Sequence, residues 1–164
     1  MRNILIIIFL LTQCQFLFSQ ESEFEPEFYT KLIVESGKII KKKQCSRAVP
    51  KKMRKFWVVS DNDIQLLHKH LNDVTELRAE LCCQTNGFIE NLDNYAFQYI
   101  GVTIKRKKYI YINAFHKMEL NNEKIKSFWK EKPVGACDGG NHFWGVIFNL
   151  ETLKFEQLAI NGRA

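Results

Sequence analysis

The residues that suggest chemistry most directly lie in the C-terminal half of the chain. Cys137 is followed by Asp138 and His142, and His116 lies upstream. A cysteine hydrolase needs a thiolate, a histidine within hydrogen-bonding distance and an oxyanion site, and Cys137 with His116 or His142 is the plausible set here. We expect Cys137 to lie in an ordinary strand, not at a helix N-terminus that would lower its pKa. The sequence therefore favours a protein that is not an enzyme.

The same side chains have the donor types of a metal site, but their spacing matches no known zinc motif. His68 and His70 are two residues apart on a predicted helix, so they face different directions and form no ligand pair. The sequence contains no Gly-rich phosphate loop and no nucleotide-binding fingerprint. We therefore predict no catalytic residue, no metal site and no cofactor.

Positive charge is concentrated in two segments. The chain has 24 Lys and Arg against 18 Asp and Glu, and nine of the cations lie between residues 38 and 55, where there is no acid. Such a patch attracts polyanions such as nucleic acid, lipopolysaccharide or an anionic membrane face, and the alternative is a solvated loop. Aromatic residues do not interleave with it, so a base-stacking platform is not indicated. The predicted polyanion-binding residues are Lys41, Lys42, Lys43, Lys51, Lys52, Arg54, Lys55, Lys105, Arg106, Lys107 and Lys108.

The N-terminus resembles a secretory signal peptide. Arg2 precedes residues 4–11, which include no polar side chain, and a more polar stretch ends at residue 20. The apolar run is shorter than the roughly 20 residues of a membrane span. Lipidation at Cys14 is an alternative, but Gln13 is larger than the residue that normally precedes such a cysteine. We expect an exported protein, periplasmic or secreted, with a mature N-terminus near Glu21 and no transmembrane span in the mature chain.

Four cysteines remain after this segment: Cys45, Cys82, Cys83 and Cys137. An even number in an oxidising compartment suggests disulfides. A bond between the adjacent Cys82 and Cys83 would need a strained ring. Two bridges from this pair to Cys45 and Cys137, or one bridge and two buried thiols, both remain open, and either arrangement is structural.

Composition and length indicate one folded unit. Apolar residues make up 46% of the chain and aromatic residues 13%, which excludes disorder as the bulk state. We divide the chain into a signal peptide at 1–20, an acidic leader and basic segment at 21–55, and a single α+β domain at 56–164.

One helix is strongly predicted. Ser60 is a helix N-cap with Asp63 three residues later, and Asp61 and Asp63 favour the helix dipole. An apolar stripe then extends over some five turns, with Asn86-Gly87 as its stop. The residues of the stripe are Ile64, Leu67, Leu71, Val74, Leu77 and Leu81.

The remaining elements are short. Strands are predicted at 56–59 and 153–160, a hairpin with a cationic tip at 97–104 and 109–115, and a helix at 121–130. A second hairpin joins 134–137 to 143–148 through the turn at 138–141, and a third is indicated around Ser36-Gly37. This order predicts an α+β fold in which one long helix packs on a four- to five-stranded antiparallel sheet, cystatin-like or helix-grip-like.

Several motifs resemble an uncharacterised family of small exported proteins of Bacteroidetes-type bacteria, over about residues 56–164. These motifs lie at 56–57 with 60–64, 99–102, 108–115, 138–141 with 143–146, and 161–162. The resemblance implies export and one domain, but no activity. It also implies cysteines in relatives at the positions of His116 and His142, which makes any cysteine pairing in this chain more doubtful.

The function predicted from these observations is an exported, non-catalytic binding or interaction protein. Its partner would be an unknown protein, an envelope polymer or a small molecule held between helix and sheet. One alternative is a secreted thiol hydrolase that uses Cys137 and a histidine. The other is a polyanion or membrane-surface binder that uses residues 38–55.

Overall fold

The structure, a computed structural model, describes residues 24–43, 47–80, 83–84 and 86–163. The predicted signal peptide, the lipidation candidate Cys14 and the cysteines Cys45 and Cys82 lie outside the described residues.

A six-stranded sheet forms the centre of the protein. Four of its strands follow one another as an antiparallel meander, and the first two both pair with β3, on the edge that β4 does not occupy. The strands are β1 (Tyr29–Leu32), β2 (Arg54–Trp57), β3 (Tyr95–Ile104), β4 (Lys107–His116), β5 (Phe143–Asn149) and β6 (Lys154–Ile160). The predicted α+β class is thus confirmed.

The predicted four- to five-stranded antiparallel sheet was wrong in two respects. The sheet has six strands, and β1 is parallel to β3. The sequence did not predict β1 because its residues, Tyr-Thr-Lys-Leu, show no apolar alternation, and only Leu32 at its end is buried. Since β1 and β2 both pair with β3, the sheet begins upstream of the predicted domain boundary at residue 56.

The N-terminal hairpin predicted around Ser36-Gly37 was also wrong. Its second arm is a helix, α1 (Gly37–Lys43). Ile40 of this helix is fully buried against the sheet, so helical spacing, not alternation, places the apolar residue on the core side.

The main helix, α2 (Asp61–His70), begins where the sequence predicts. The Ser60 side chain accepts a hydrogen bond from the Asp63 amide at 3.2 Å, and the Asp63 carboxylate accepts one from the Ser60 amide at 3.2 Å. This reciprocal pair is a capping box, which satisfies two of the amide groups that a helix start leaves without partners.

The helix is shorter than predicted. After ten α-helical residues it continues as a six-residue 3-10 helix, Leu71–Glu76, and Leu77 is extended. The Thr75 hydroxyl donates to the Asn72 carbonyl at 2.8 Å. The Ala79 amide donates to the Gly87 carbonyl at 2.7 Å and not to a carbonyl of the preceding helical turn. Side chains that bond the local backbone compete with helix hydrogen bonds, which explains the early end.

The strands after the helix agree largely with the prediction. β3 and β4 form the expected hairpin, with a two-residue turn at Lys105 and Arg106 whose φ angles are 49° and 71°. Two positive φ values are the geometry of a type I′ turn, which fits the twist of a hairpin. The predicted short helix and final strand are present as α3 (Glu123–Phe128) and β6.

The hairpin predicted from 134–137 and 143–148 was wrong, because only its second arm is a strand. Residues 133–136 cross one face of the sheet without strand pairing, and the Val134 amide donates to the Gln98 side chain at 2.9 Å. The two glycines of the turn do adopt positive φ values, 95° at Gly139 and 55° at Gly140. Glycine tolerates this conformation at little steric cost.

The two faces of the sheet are covered differently. On one face, α2 and the 3-10 helix that continues it pack the buried Ile64, Leu67 and Leu71 over the aromatic side chains of the largest core cluster. The other face carries two smaller apolar clusters, one beneath α1 and one beneath α3. Buried polar side chains at Gln98 and Asn113 lie on the strands between them.

Candidate functional site

The fold brings the two basic segments to the same end of the sheet. Arg54 of β2 pairs with Thr103 of β3, and Thr103 pairs with Lys108 of β4. The Lys108 ammonium lies over the Trp57 ring, 5.1 Å from its centroid. Cations that are far apart in sequence thus lie on β2 and β4, the two strands that flank β3 at this end of the sheet.

A close approach at Gly101 makes this arrangement possible. A Cβ atom at Gly101 would lie 2.4 Å from the Trp57 carbonyl oxygen and 2.5 Å from its ring. Only a residue without a side chain lets β2 approach β3 at this point. The position of the first basic segment therefore depends on a glycine of β3.

The exposed cations at this end form one surface, which we call the basic end. It comprises Lys51, Lys52, Arg54, Lys55, Lys105, Arg106 and Lys108. Lys107 differs from them because its ammonium forms an ion pair with Glu151 at 2.8 Å, and this hydrogen-bonded carboxylate raises the pKa of Lys107. Among the other predicted residues, Lys41 is exposed on α1, and the side chains of Lys42 and Lys43 lie outside the described part of the structure.

Next to the basic end is a pocket of about 990 Å³, which we call the Arg47 pocket. Its wall combines cations with apolar side chains, and Glu35 is the acid among the described lining residues. The lining cations are Lys41, Arg47, Lys51, Lys52 and Lys55, and the larger apolar residues are Val34, Val49, Met53 and Phe56.

Arg47 is the most buried cation of this region, with 5% of its surface exposed. Its Nη2 atom donates to the Tyr111 hydroxyl at 3.2 Å and to the Asn113 side-chain oxygen. Its Nε and Nη1 atoms have no hydrogen-bond partner among the described residues. The guanidinium group is thus fixed on one side and unsatisfied on the other.

A polar network beneath the sheet holds the Arg47 partners in place. Asn113 donates to the Gln98 side-chain oxygen at 2.6 Å and to the Val134 carbonyl at 2.7 Å. Gln98 donates to the carbonyls of Trp129 and Lys132, the latter at 2.9 Å. Because both amide side chains are fully used, the oxygen that Asn113 presents to Arg47 is oriented by its neighbours.

The residues considered for catalysis have the following surroundings in the structure. Cys137 is disulfide-bonded, so its sulfur is not a thiolate. The imidazoles of His116 and His142 stack with centroids 4.6 Å apart, and Glu119 lies 3.9 Å from His142. Burial and the His142 charge lower the pKa of His116. No group of three or more metal-ligating side chains occurs among the described residues.

The loop around Asp138 is tied to the end of the chain. The side-chain amide of the fully buried Asn161 donates to the carbonyls of Ala136 and Asp138 at 2.9 and 3.0 Å. The Gly140 amide donates to the Gly162 carbonyl at 2.9 Å. These contacts give the loop an architectural role.

Sequence reasoning identified the two cationic segments but not their convergence, and it missed the individual importance of Arg47. Arg47 was one of nine cations in the basic segment, with nothing in its neighbours to distinguish it. The available indication was the occurrence of Gln98 and Asn113 inside apolar strand runs, because buried amides need specific partners.

Comparisons of this chain with protein-family models, with curated proteins and with solved structures found no match. Within the part of the chain that the structure describes, no helix has the length and apolarity needed to cross a membrane.

Proposed function

We propose that this protein is an exported, non-catalytic binding protein whose basic end recognises an anionic polysaccharide of the cell envelope. The observation that carries the proposal is the convergence of the two cationic segments across β2, β3 and β4. A surface of seven exposed cations attracts a polyanion over a distance and gains free energy by releasing its counterions.

The aromatic residues of this region support a polysaccharide over a nucleic acid. Phe56 and Trp57 are half-buried, and the Trp57 ring is covered by the Lys108 ammonium. Proteins that bind single-stranded nucleic acid stack successive bases on aromatic side chains that are open to solvent. The basic end presents charge without such rings, which suits sulfate and phosphate groups on a sugar polymer.

Two features support the export and non-catalytic parts of the proposal. The first feature is the signal-like N-terminal sequence. The second is the disulfide at Cys137, because disulfides persist mainly in oxidising compartments outside the cytoplasm. The same bond removes the thiol that the alternative hydrolase would need. We also propose that the protein is related to the small exported bacterial proteins that its motifs resemble. The fold is proposed to be cystatin-like or helix-grip-like, which is supported by the packing of α2 across the meander.

Retention of the full chain on immobilised heparin tests this function. We expect the triple variant Lys51→Glu, Arg54→Glu, Arg106→Glu to elute at clearly lower salt than the parent protein. Each lost contact lowers the slope of log affinity against log salt, by roughly 0.9 per phosphate on duplex DNA.

The matched control is Lys69→Glu, Lys124→Glu, Lys132→Glu, which changes the net charge equally at exposed positions away from the basic end. We expect the control to retain most of the binding. Equal losses in the two variants would show that net charge alone causes retention, and retention independent of salt would exclude ionic recognition.

A further inference from the structure

The unsatisfied side of Arg47 indicates a second binding site. Its Nε and Nη1 atoms are buried and have no partner among the described residues, whereas Nη2 is held by Tyr111 and Asn113. An arginine has five N–H donors in a fixed plane, so the contacts of Nη2 leave the donors of the other two nitrogen atoms unused. The side chain is immobilised in an orientation that its protein contacts satisfy only in part.

Within the described part of the structure, no ion pair involves this buried guanidinium group. There is no Asp or Glu between residues 36 and 60, and the acid in the described pocket lining is the exposed Glu35. Burying an unpaired charge or leaving a buried donor unsatisfied costs free energy that a paired anion would offset. The missing partner is therefore expected to come from a bound molecule.

The pocket is larger and more apolar than a single phosphate or carboxylate group requires. At about 990 Å³ it has the size of sites that hold small organic ligands. Val49, Met53 and Phe56 are partly buried and pack against the apolar cluster beneath α1, while they also line the pocket. A ligand that fits this wall has an apolar body as well as a negative group.

We propose that the Arg47 pocket binds a small organic anion with a single phosphate or carboxylate head and an apolar body. The head pairs with Nε and Nη1 of Arg47, and the body packs against Val49, Met53 and Phe56. Lys51 and Lys52 at the pocket wall attract the anion but are exposed, so their contribution falls with added salt. This site goes beyond the proposed function, in which a polymer contacts the exposed cations of the basic end.

Calorimetric titration of the full chain with four probes tests the proposal. Octanoate and octyl phosphate carry the two candidate heads on the same apolar body, octanol lacks the charge, and inorganic phosphate lacks the body. We expect at least one of the two anions to bind at least about tenfold more tightly than octanol and inorganic phosphate, as the loss of charged hydrogen bonds implies. The stronger of the two anions identifies the head group.

Arg47→Met is the variant that removes the donors. We expect it to lower the affinity for the preferred anion at least about tenfold, with heparin retention changed little. Because this variant could fail to fold, methyl NMR of the parent protein provides an independent measurement, in which the anion shifts the Met53 and Val49 methyl resonances. No binding of either anion, equal binding of octanol, equal binding of inorganic phosphate, or methyl shifts confined to other parts of the protein would overturn the proposal. Loss of heparin retention in the basic-end variants bears only on the proposed polymer function.

Discussion

At the scale of single residues, the position of Arg47 depends on Gly145, a glycine of β5, the strand next to β4. A Cβ atom at Gly145 of β5 would lie 2.6 Å from the Tyr111 hydroxyl oxygen, which accepts a hydrogen bond from Arg47. A contact this short forces a neighbouring atom to move, and Tyr111 is fully buried, so its ring cannot shift without displacing other core side chains. Gly145 thus makes room for one of the two partners of the arginine.

We expect Gly145→Ala to lower the free energy of unfolding by about 1–3 kcal/mol, since overpacking and a lost buried hydrogen bond each cost that order. Chemical denaturation measures the change. Gly37→Ala is the control, because the nearest atom to its new Cβ would be the flexible end of Met53, at 3.3 Å, with the Phe56 ring at an ordinary contact distance of 3.5 Å. A Gly145→Ala protein as stable as the Gly37→Ala protein would contradict the packing described for Tyr111.

Tyr95 gives the fold a dependence on alkaline pH. Its hydroxyl donates to the Asn141 carbonyl at 2.9 Å, and burial, followed by the charge of Glu90, raises its pKa to about 12 from the usual 10.0. Between these two values the folded state holds a proton that the unfolded state has lost, so stability falls as pH rises from about 10 to about 12.

Replacing Tyr95 with Phe removes this titration. We expect the free energy of unfolding of Tyr95→Phe to fall less steeply than that of the parent protein over this range, while at neutral pH the variant lacks one hydrogen bond. Urea denaturation at a series of pH values provides the comparison. Identical slopes for the two proteins would mean that Tyr95 ionises equally easily in both states.

Single residues also differ in whether their role could be predicted from the sequence. The cations of the basic end could be predicted because charge is visible in the sequence without knowledge of the partners. The unsatisfied guanidinium of Arg47 could not, since it depends on Gln98, Asn113 and Gly145, which lie on three different strands. Their proximity is a property of strand register, which no local pattern reports.

At the scale of elements, α2 is the main cover of one face of the sheet. Leu71 lies where the α-helix passes into the 3-10 helix, and its side chain is fully buried. Lys69 is exposed on the same helix, two residues earlier. Substituting Asp at each of the two positions therefore distinguishes the effect of burying a charge from the effect of placing Asp in a helix.

We expect Leu71→Asp to destabilise the protein by several kcal/mol, which is a large part of a typical total of about 5–15 kcal/mol. Lys69→Asp should change stability by no more than about 0.5 kcal/mol, as exposed substitutions usually do. Thermal denaturation followed by circular dichroism measures both. Similar losses for the two variants would show that the buried stripe is assigned to the wrong face.

Element boundaries illustrate which local rules are sufficient. The start of α2 was predicted correctly because a capping box is complete within four residues. Its end was not, because residues 77–80 leave the helix for contacts with Gly87 and Leu158, the latter about 80 residues away. The parallel strand β1 escaped prediction for a similar reason, since its pairing with β3 spans nearly 70 residues.

At the scale of the whole molecule, the sheet separates two tasks. The face beneath α2 is an aromatic and aliphatic core, which gives the domain most of its buried apolar surface. The opposite face carries the polar network and the Arg47 pocket. The class of fold followed from the order of elements, but the convergence of 38–55 and 105–108 required the register of β2 on β3.

An NMR titration of the full chain with a short heparin oligosaccharide tests the convergence of the two basic segments most directly. We expect backbone amide shifts at Lys51, Arg54, Arg106 and Lys108 that saturate together with one dissociation constant, because one surface binds one ligand. The amides of α3, which covers the other small apolar cluster, should change little. Separate dissociation constants for the two basic segments, or the largest shifts at α3, would contradict a single basic end.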